Sequence, residues 1–368
     1  MKVIVLGTRG IPDIQGGVET HCQELYPRLV KLGCDITLVT RKPYVKDLKQ
    51  NKYKGVKLKH IFAPKKKSLE AIIHTFLGVL YAKKSNPDIL HIHAIGPSIM
   101  VPFAKLLGLK VVVTNHGPDY NRQKWGKLAK FILKLGEKLG TIYADRVIVI
   151  SEVIKSIQEE KYKRYDCDLI FNGVNIPKKS ISIDYIKSLN LEAKKYIVAV
   201  GRFVEEKGFH DLIEAYKQID TNIKLVLVGD ADHETNYSKN LKQLAKKNGI
   251  ILTGFIKGEK LNQIFSHAKL FVMPSYHEGL PIALLEAMSY NLDILVSNIP
   301  ANLEVKLLNK DYFRIGDISD FTKKFEKKIQ FNEMRNFDEL LKKKYRWNNI
   351  AKQVMKIYEN LLKEQRWT

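Results

Sequence analysis

The chain has 368 residues, 45% of them hydrophobic, and a formal net charge of +23. That length predicts two domains, and the composition is that of a globular chain with no low-complexity segment or solenoid-length repeat. No charge-free apolar run approaches the ~18 residues of a membrane span, and no signal peptide is visible before the first strand. A cytoplasmic protein is the expectation.

In chain order, the N-terminal half alternates short apolar runs with helical patterns: KVIVLG (2–7), CDITLVT (34–40), VKLKHIF (56–62), DILHIHA (88–94), KVVVTNH (110–116), RVIVIS (146–151) and CDLIFN (167–172). Most runs are continuous rather than alternating, as strands covered on both faces of a parallel sheet should be. With crossover helices between them they predict a doubly wound α/β domain. The pattern weakens over 176–193, a linker region, and then restarts: YIVAVG (196–201), KLVLVG (224–229), GIILTGF (249–255), KLFVMPS (269–275) and DILVSN (293–298). The expectation is two tandem α/β domains, 1–177 and 178–346, with a long amphipathic helix in 347–368. Ligands of such sheets bind beyond the carboxyl ends of the strands, so the cleft between two such domains is the expected active site.

Three stretches carry the chemistry. "GTRGIPDIQGGVET" (7–20) ends a strand in glycine and opens a helix at Gly16-Gly17. Free N–H groups and the helix dipole there favour a phosphate. The spacing is not G-x-G-x-x-G, and no acid follows the second strand, so a dinucleotide is not indicated. "SYHEGLPIALLEAMSY" (275–290) sets Glu278 before a helix and Glu286 within it, with Gly279 and Leu280 where unpaired amides point outward. Carboxylates accept hydrogen bonds from vicinal diols, which suits a ribose or a hexose. In "VAVGRFVEEKGFHDLIEAY" (198–216), Arg202 follows a strand-end glycine and Lys207-Gly208 precede a helix, two cations fit to offset a diphosphate. A tight loop, a surface glutamate with a helical ion-pair partner, and a solvated loop are the respective alternatives.

Together these stretches and "FNGVN" (171–175) resemble a nucleotide-sugar glycosyltransferase of the GT-B architecture, family 4, over essentially the whole chain. The opening stretch is most similar to a subset that includes bacterial rhamnosyltransferases of surface-polysaccharide pathways. The resemblance implies two Rossmann-like domains facing across a cleft, with the C-terminal helix crossing back onto the first. It also implies that Glu286 binds the nucleotide ribose and Glu278 contacts the donor sugar. Arg202 and Lys207, aided by the amides of Gly17, Gly279 and Leu280 beside Gly16, would hold the diphosphate. The backbone at Phe255-Ile256 would meet the base, and His116 would stand beside the donor sugar. His93 and Asn172 would lie on the acceptor side and near the domain interface. Retention of anomeric configuration is implied, with no metal and no other cofactor, and His116 would orient the sugar while the leaving phosphate takes the acceptor's proton.

Other features are read more plainly. His91 and His93 are set aside as a metal pair, on the expectation that their rings point to opposite faces of the strand. Asp230-Ala231-Asp232 is discounted as a metal motif. Three cysteines, an odd number without ligand spacing, read as apolar fillers. In 122–140 a stripe of Trp125, Leu128, Ile132, Leu135 and Leu139 is flanked by Lys124, Lys127, Lys130, Lys134 and Lys138. It is either a core helix with a solvated basic face or an interfacial helix for an anionic leaflet, and 65–84 is a second such segment. A lipid-linked oligosaccharide acceptor would use both. The net charge reflects a lysine-rich surface, an anionic membrane or anionic substrates; no nucleic-acid motif accompanies it. The competing functions are a GT-B epimerase, a phosphorylase, and a non-catalytic nucleotide- or membrane-binding relative.

Overall fold

The computed structural model describes residues 1–368 except 65–69, 122–125, 232–233, 280, 332 and 365–368. The chain divides into two compact units, Met1–Gly173 with Arg346–Thr368, and Val174–Tyr345.

The first unit holds β1 (Lys2–Leu6), β2 (Asp35–Arg41), β3 (Lys52–Tyr53), β4 (Val56–Ile61), β5 (Ile89–His93), β6 (Val111–Asn115), β7 (Arg146–Val149) and β8 (Asp168–Leu169). They form one eight-stranded sheet in the order β3-β4-β2-β1-β5-β6-β7-β8. Every neighbour is parallel except the short β3–β4 pair. Its helices are α1 (Gly17–Lys31), α2 (Glu70–Ser85), α3 (Val101–Leu106), α4 (Lys127–Tyr143) and α5 (Glu152–Tyr162), with the C-terminal helix Trp347–Lys363. Val3, Ile4, Val5 and Leu6 of β1 are all fully buried, the reason that run is apolar without alternation.

The C-terminal helix lays Trp347, Ile350, Val354, Ile357, Tyr358 and Leu361 against Cys22, Leu25, Tyr26 and Leu29 of α1 in one core. Burying each such large side chain stabilises the fold by about 1.5–3 kcal/mol. The glycine of "FNGVN" belongs to this packing: a Cβ on Gly173 would lie 2.4 Å from Cδ2 of Trp347.

The second unit holds β9 (Tyr196–Val200), β10 (Lys224–Val228), β11 (Ile251–Gly254), β12 (Leu270–Met273), β13 (Asp293–Ser297) and β14 (Tyr312–Phe313). Their order is β11-β10-β9-β12-β13-β14, parallel throughout. Its helices are α6 (Asp184–Ser188), α7 (Phe209–Lys217), α8 (Asn236–Lys247), α9 (Glu259–His267), α10 (Ile282–Ser289), α11 (Pro300–Leu303), α12 (Ile318–Gln330) and α13 (Asp338–Lys344). The segment expected to be linker contains α6, whose Ile186 is buried together with Leu191.

The basic helix differs from a simple core helix. The buried residues of α4 are Gly136, Glu137, Gly140 and Thr141, while Leu128 and Phe131 are 72% and 63% exposed. Trp125, Lys124 and the lysine run at 65–67 lie outside the described residues. Among the described residues no helix is long and apolar enough to cross a membrane. All three cysteines are buried and unbridged, and burial pushes their thiols up. Asp230 pairs with Lys242 at 2.7 Å, and Asp232 lies outside the described residues.

Candidate functional site

In the first unit the candidate residues gather at the carboxyl ends of neighbouring strands. His93 is the last residue of β5, and His116 follows the last residue of β6. His93 Nδ1 and His116 Nε2 lie 2.9 Å apart. Asn172 is buried and accepts a hydrogen bond from His21 Nδ1 at 2.7 Å, through an oxygen that can only accept. His21 sits one turn into α1, and its ring makes edge contacts with His93, His116 and Trp347.

Behind them, the Tyr26 hydroxyl hydrogen-bonds His93 Nε2, and lies 3.2 Å from His91 Nδ1. That nitrogen also meets the Tyr358 hydroxyl of the C-terminal helix at 2.5 Å, and His91 Nε2 meets Thr114 Oγ1 at 2.7 Å. The rings of His91 and His93 stack with centroids 4.3 Å apart, so the expectation of opposite faces fails. Residues two apart on a strand share a face; only consecutive ones alternate. His93 is fully buried and reaches outward through its contact with His116, which is partly exposed.

All four imidazoles are held neutral. Burial pushes His21 down to about 4 against the pull of Asn172, and His91 down to about 3, helped by the charge of His21. Burial and the neighbouring imidazoles hold His93 and His116 well below the usual histidine range.

The opening glycine loop answers to several neighbours. A Cβ on Gly7 would lie 2.0 Å from the carbonyl oxygen of His93, so that glycine serves strand packing. Gly16 has φ 152° and is crowded by Glu19 and Arg9. Glu19, in the first turn of α1, accepts from the Arg9 amide and Nε at 3.1 Å each. Burial pushes the Glu19 carboxyl up, but the Arg9 charge and hydrogen bonds outweigh it and hold it low. Of the four glycines in this loop, only Gly17 has space in which a Cβ would meet nothing within 4 Å, so the room open to a ligand lies there.

In the second unit the two predicted segments are zipped together. Lys207 closes the one-turn helix Glu205–Lys207 after β9, and its ammonium pairs with the carboxylate of Glu278, which follows the adjacent strand β12. Ser275 Oγ donates to the same carboxylate at 2.7 Å, and the Tyr276 amide donates to the Glu206 carbonyl at 2.8 Å. Gly208 permits this: its φ is 64°, and a Cβ there would lie 2.1 Å from the Pro274 carbonyl oxygen. Burial pushes Glu278 up, but Lys207 and the hydrogen bonds from Lys207 and Ser275 hold it below the usual carboxylate range.

Arg202 stands two residues past β9. Glu286 is the fifth residue of α10, little more than one turn in, with Pro281 the residue before the helix. Phe255, 46% exposed, and Ile256 follow the end of β11. Gly279 adjoins Glu278, and Leu280 lies outside the described residues. His21, Tyr26 and Tyr358 were not anticipated. The available signal was polar residues on faces otherwise made of Cys22, Leu25 and Leu29, or of Ile350, Val354 and Leu361.

Two parallel α/β units with these groups beyond their strands' carboxyl ends are the GT-B architecture of sugar-transferring enzymes. Residues 182–368 match the family described as Glycosyl transferases group 1, and residues 15–177 match Glycosyltransferase Family 4. The chain belongs to the Glycosyl transferases group 1 family and is a glycosyltransferase. It is 25% identical to an uncharacterized glycosyltransferase of Methanocaldococcus jannaschii, over 98% of each chain. It is 28% identical to the capsular polysaccharide biosynthesis glycosyltransferase CapH of Staphylococcus aureus, over 62% of this chain and 64% of that one. In fold it is similar to the sucrose-phosphate synthase of Thermosynechococcus elongatus, with TM-score 0.83, 20% identity and 99% of both chains covered. HepE of Anabaena, solved with UDP and glucose, superposes with TM-score 0.80 at 16% identity, over 98% of this chain and all of that one (100%).

Proposed function

We propose that the protein is a retaining glycosyltransferase that moves a sugar from a nucleotide-diphosphate donor to a glycan or lipid-linked acceptor of a bacterial surface polysaccharide. The observation that carries this reading is the Lys207–Glu278–Ser275 arrangement at the carboxyl edge of β9 and β12, beside Gly279 and the start of α10. A fixed ammonium there meets the charge that develops on a departing diphosphate, without reorganisation at the moment of reaction and without a divalent ion. Arg202 shares that load, Glu286 takes the ribose diol, Glu278 a sugar hydroxyl, and Phe255-Ile256 the base. The leaving phosphate oxygen takes the acceptor's proton as the glycosidic bond forms, and the neutral His116 orients the sugar.

The capsular relative supports the polysaccharide setting, and the HepE complex supports a nucleotide sugar. Rhamnose is the sugar that the opening stretch favours. The exposed Leu128 and Phe131 on lysine-flanked α4 support a peripheral position on the anionic inner leaflet, where each basic residue is worth about 1 kcal/mol.

The test is thermal stability against UDP, TDP, GDP and CMP with their sugar conjugates, with Glu286→Ala as control. Hundredfold saturation over Kd stabilises by ~2.7 kcal/mol. One responding nucleotide family, with the response lost in the variant, supports the reading; no response from any of them overturns it.

A further inference from the structure

His21, His93 and His116 come from α1, the end of β5 and the residue after β6, and each offers one ring nitrogen to a single cluster. Those three nitrogens all lie within 4.8 Å of one another. His21 Nε2 is buried and has no hydrogen-bond partner among the described residues. A buried, unpaired imidazole nitrogen is costly and calls for an occupant.

The groups behind the cluster orient it. The Asn172 oxygen requires the proton of His21 on Nδ1, which leaves the lone pair on Nε2 free for a ligand. Tyr26 holds His93 by Nε2, leaving Nδ1 to face His116. A second hydrogen bond on the far nitrogen is what fixes a metal-binding imidazole. Burial keeps all three rings neutral, the form in which histidine coordinates.

We propose that His21, His93 and His116 bind one divalent transition-metal ion of the zinc class. Imidazole donors suit zinc, copper, cobalt and nickel rather than magnesium or calcium. Bonds of about 2.0–2.1 Å in a tetrahedron put ligand nitrogens ~3.4 Å apart, between the 2.9 Å of the His93–His116 contact and the 4.8 Å limit of the cluster. The ion replaces the His93–His116 hydrogen bond, and His116 coordinates through Nε2 with its proton carried on Nδ1. Three histidine ligands leave the fourth tetrahedral position for water. The ion is not required for the proposed transfer. Occupying His116, it inhibits that transfer, a consequence that rests on the role proposed for this residue.

The test begins with chelator-treated full-length protein, dialysed against zinc chloride and assayed for bound zinc. About one zinc per chain is expected, with cobalt(II) giving the intense visible absorption of a tetrahedral site. His21→Gln and His116→Gln should each abolish that signal, and Asn172→Ala should weaken zinc binding about tenfold or more. His116 is partly exposed, so its variant provides a folded control if His21→Gln does not fold. Absence of stoichiometric zinc in the wild type, or binding unchanged in the folded variants, overturns the proposal. Bound zinc without inhibition of transfer leaves the metal site standing and removes the role given to His116.

Discussion

The candidate residues of the two units use opposite electrostatics. In the first unit, four imidazoles are kept neutral, and the three buried ones, His21, His91 and His93, are held by hydroxyls and an amide: Tyr26, Thr114, Tyr358 and Asn172. In the second, a lysine and a glutamate keep full charges in contact on two loops joined by a backbone hydrogen bond. Both gather at the carboxyl ends of parallel strands, so the shared fold sets where the chemistry sits and the local residues set its kind. A departing diphosphate needs charge already in place, whereas a sugar is oriented well by neutral donors and acceptors.

The largest way to break this contrast is Lys207→Ala. It leaves Glu278, 12% exposed, without its ammonium, and unfolding by denaturant should show a loss of ~3–5 kcal/mol. The double variant Lys207→Met/Glu278→Leu should recover much of that stability but none of the transfer activity. Recovery of both would make the pair structural only.

Acid should separate the halves next. Below the ordinary value of 6.5 an unfolded chain takes up protons that His21, His91, His93 and His116 refuse when folded. Stability therefore falls as pH drops from 6.5 toward about 4 for His21 and about 3 for His91, by ~1.4 kcal/mol per pH unit for each fully shifted group. Glu278 responds with the same sign but in a lower window: its contribution is complete above its ordinary 4.5 and is lost only as pH falls through its lower folded value. Hydrogen exchange at pH 7 and pH 5 should show protection falling in the first unit ahead of the loops around Glu278. Equal loss in both would contradict the assignment.

Two smaller changes sharpen the picture. Tyr358→Phe removes the hydroxyl at His91 and should cost about 1 kcal/mol, read as a lower Tm. Gly17→Ala meets open space, so it should stabilise the fold by only about 0.4–1 kcal/mol. Nucleotide-sugar affinity should fall all the same; unchanged affinity would mean the loop does not reach the donor.

Much of this architecture was legible because buried parallel strands announce themselves as unbroken apolar runs. β3 and β14 were not, since each is two residues long and lies in no apolar run such as the CDLIFN that marked the equally short β8. The C-terminal helix was legible from its periodicity, but its grip on Gly173 was not, because a contact across that distance in sequence leaves no local mark. The glycines of the opening loop read as one phosphate cradle, yet Gly7 answers to the His93 carbonyl and Gly16 to Glu19 and Arg9. Lys207 and Glu278 were each singled out, whereas their direct pairing depends on two adjacent strands ending together. His21 was missed because one polar residue on a buried helix face carries no signal until its partners from β5 and β6 are in place.

The most direct measurement compares nucleotide-diphosphate affinity with turnover in His116→Asn and Lys207→Ala. If the charged half binds the leaving group and the neutral half orients the sugar, Lys207→Ala weakens nucleotide binding by ~10-fold or more. His116→Asn then leaves that affinity intact while kcat falls by about 10²-fold. Equal weakening of nucleotide binding by both variants would contradict the division of labour.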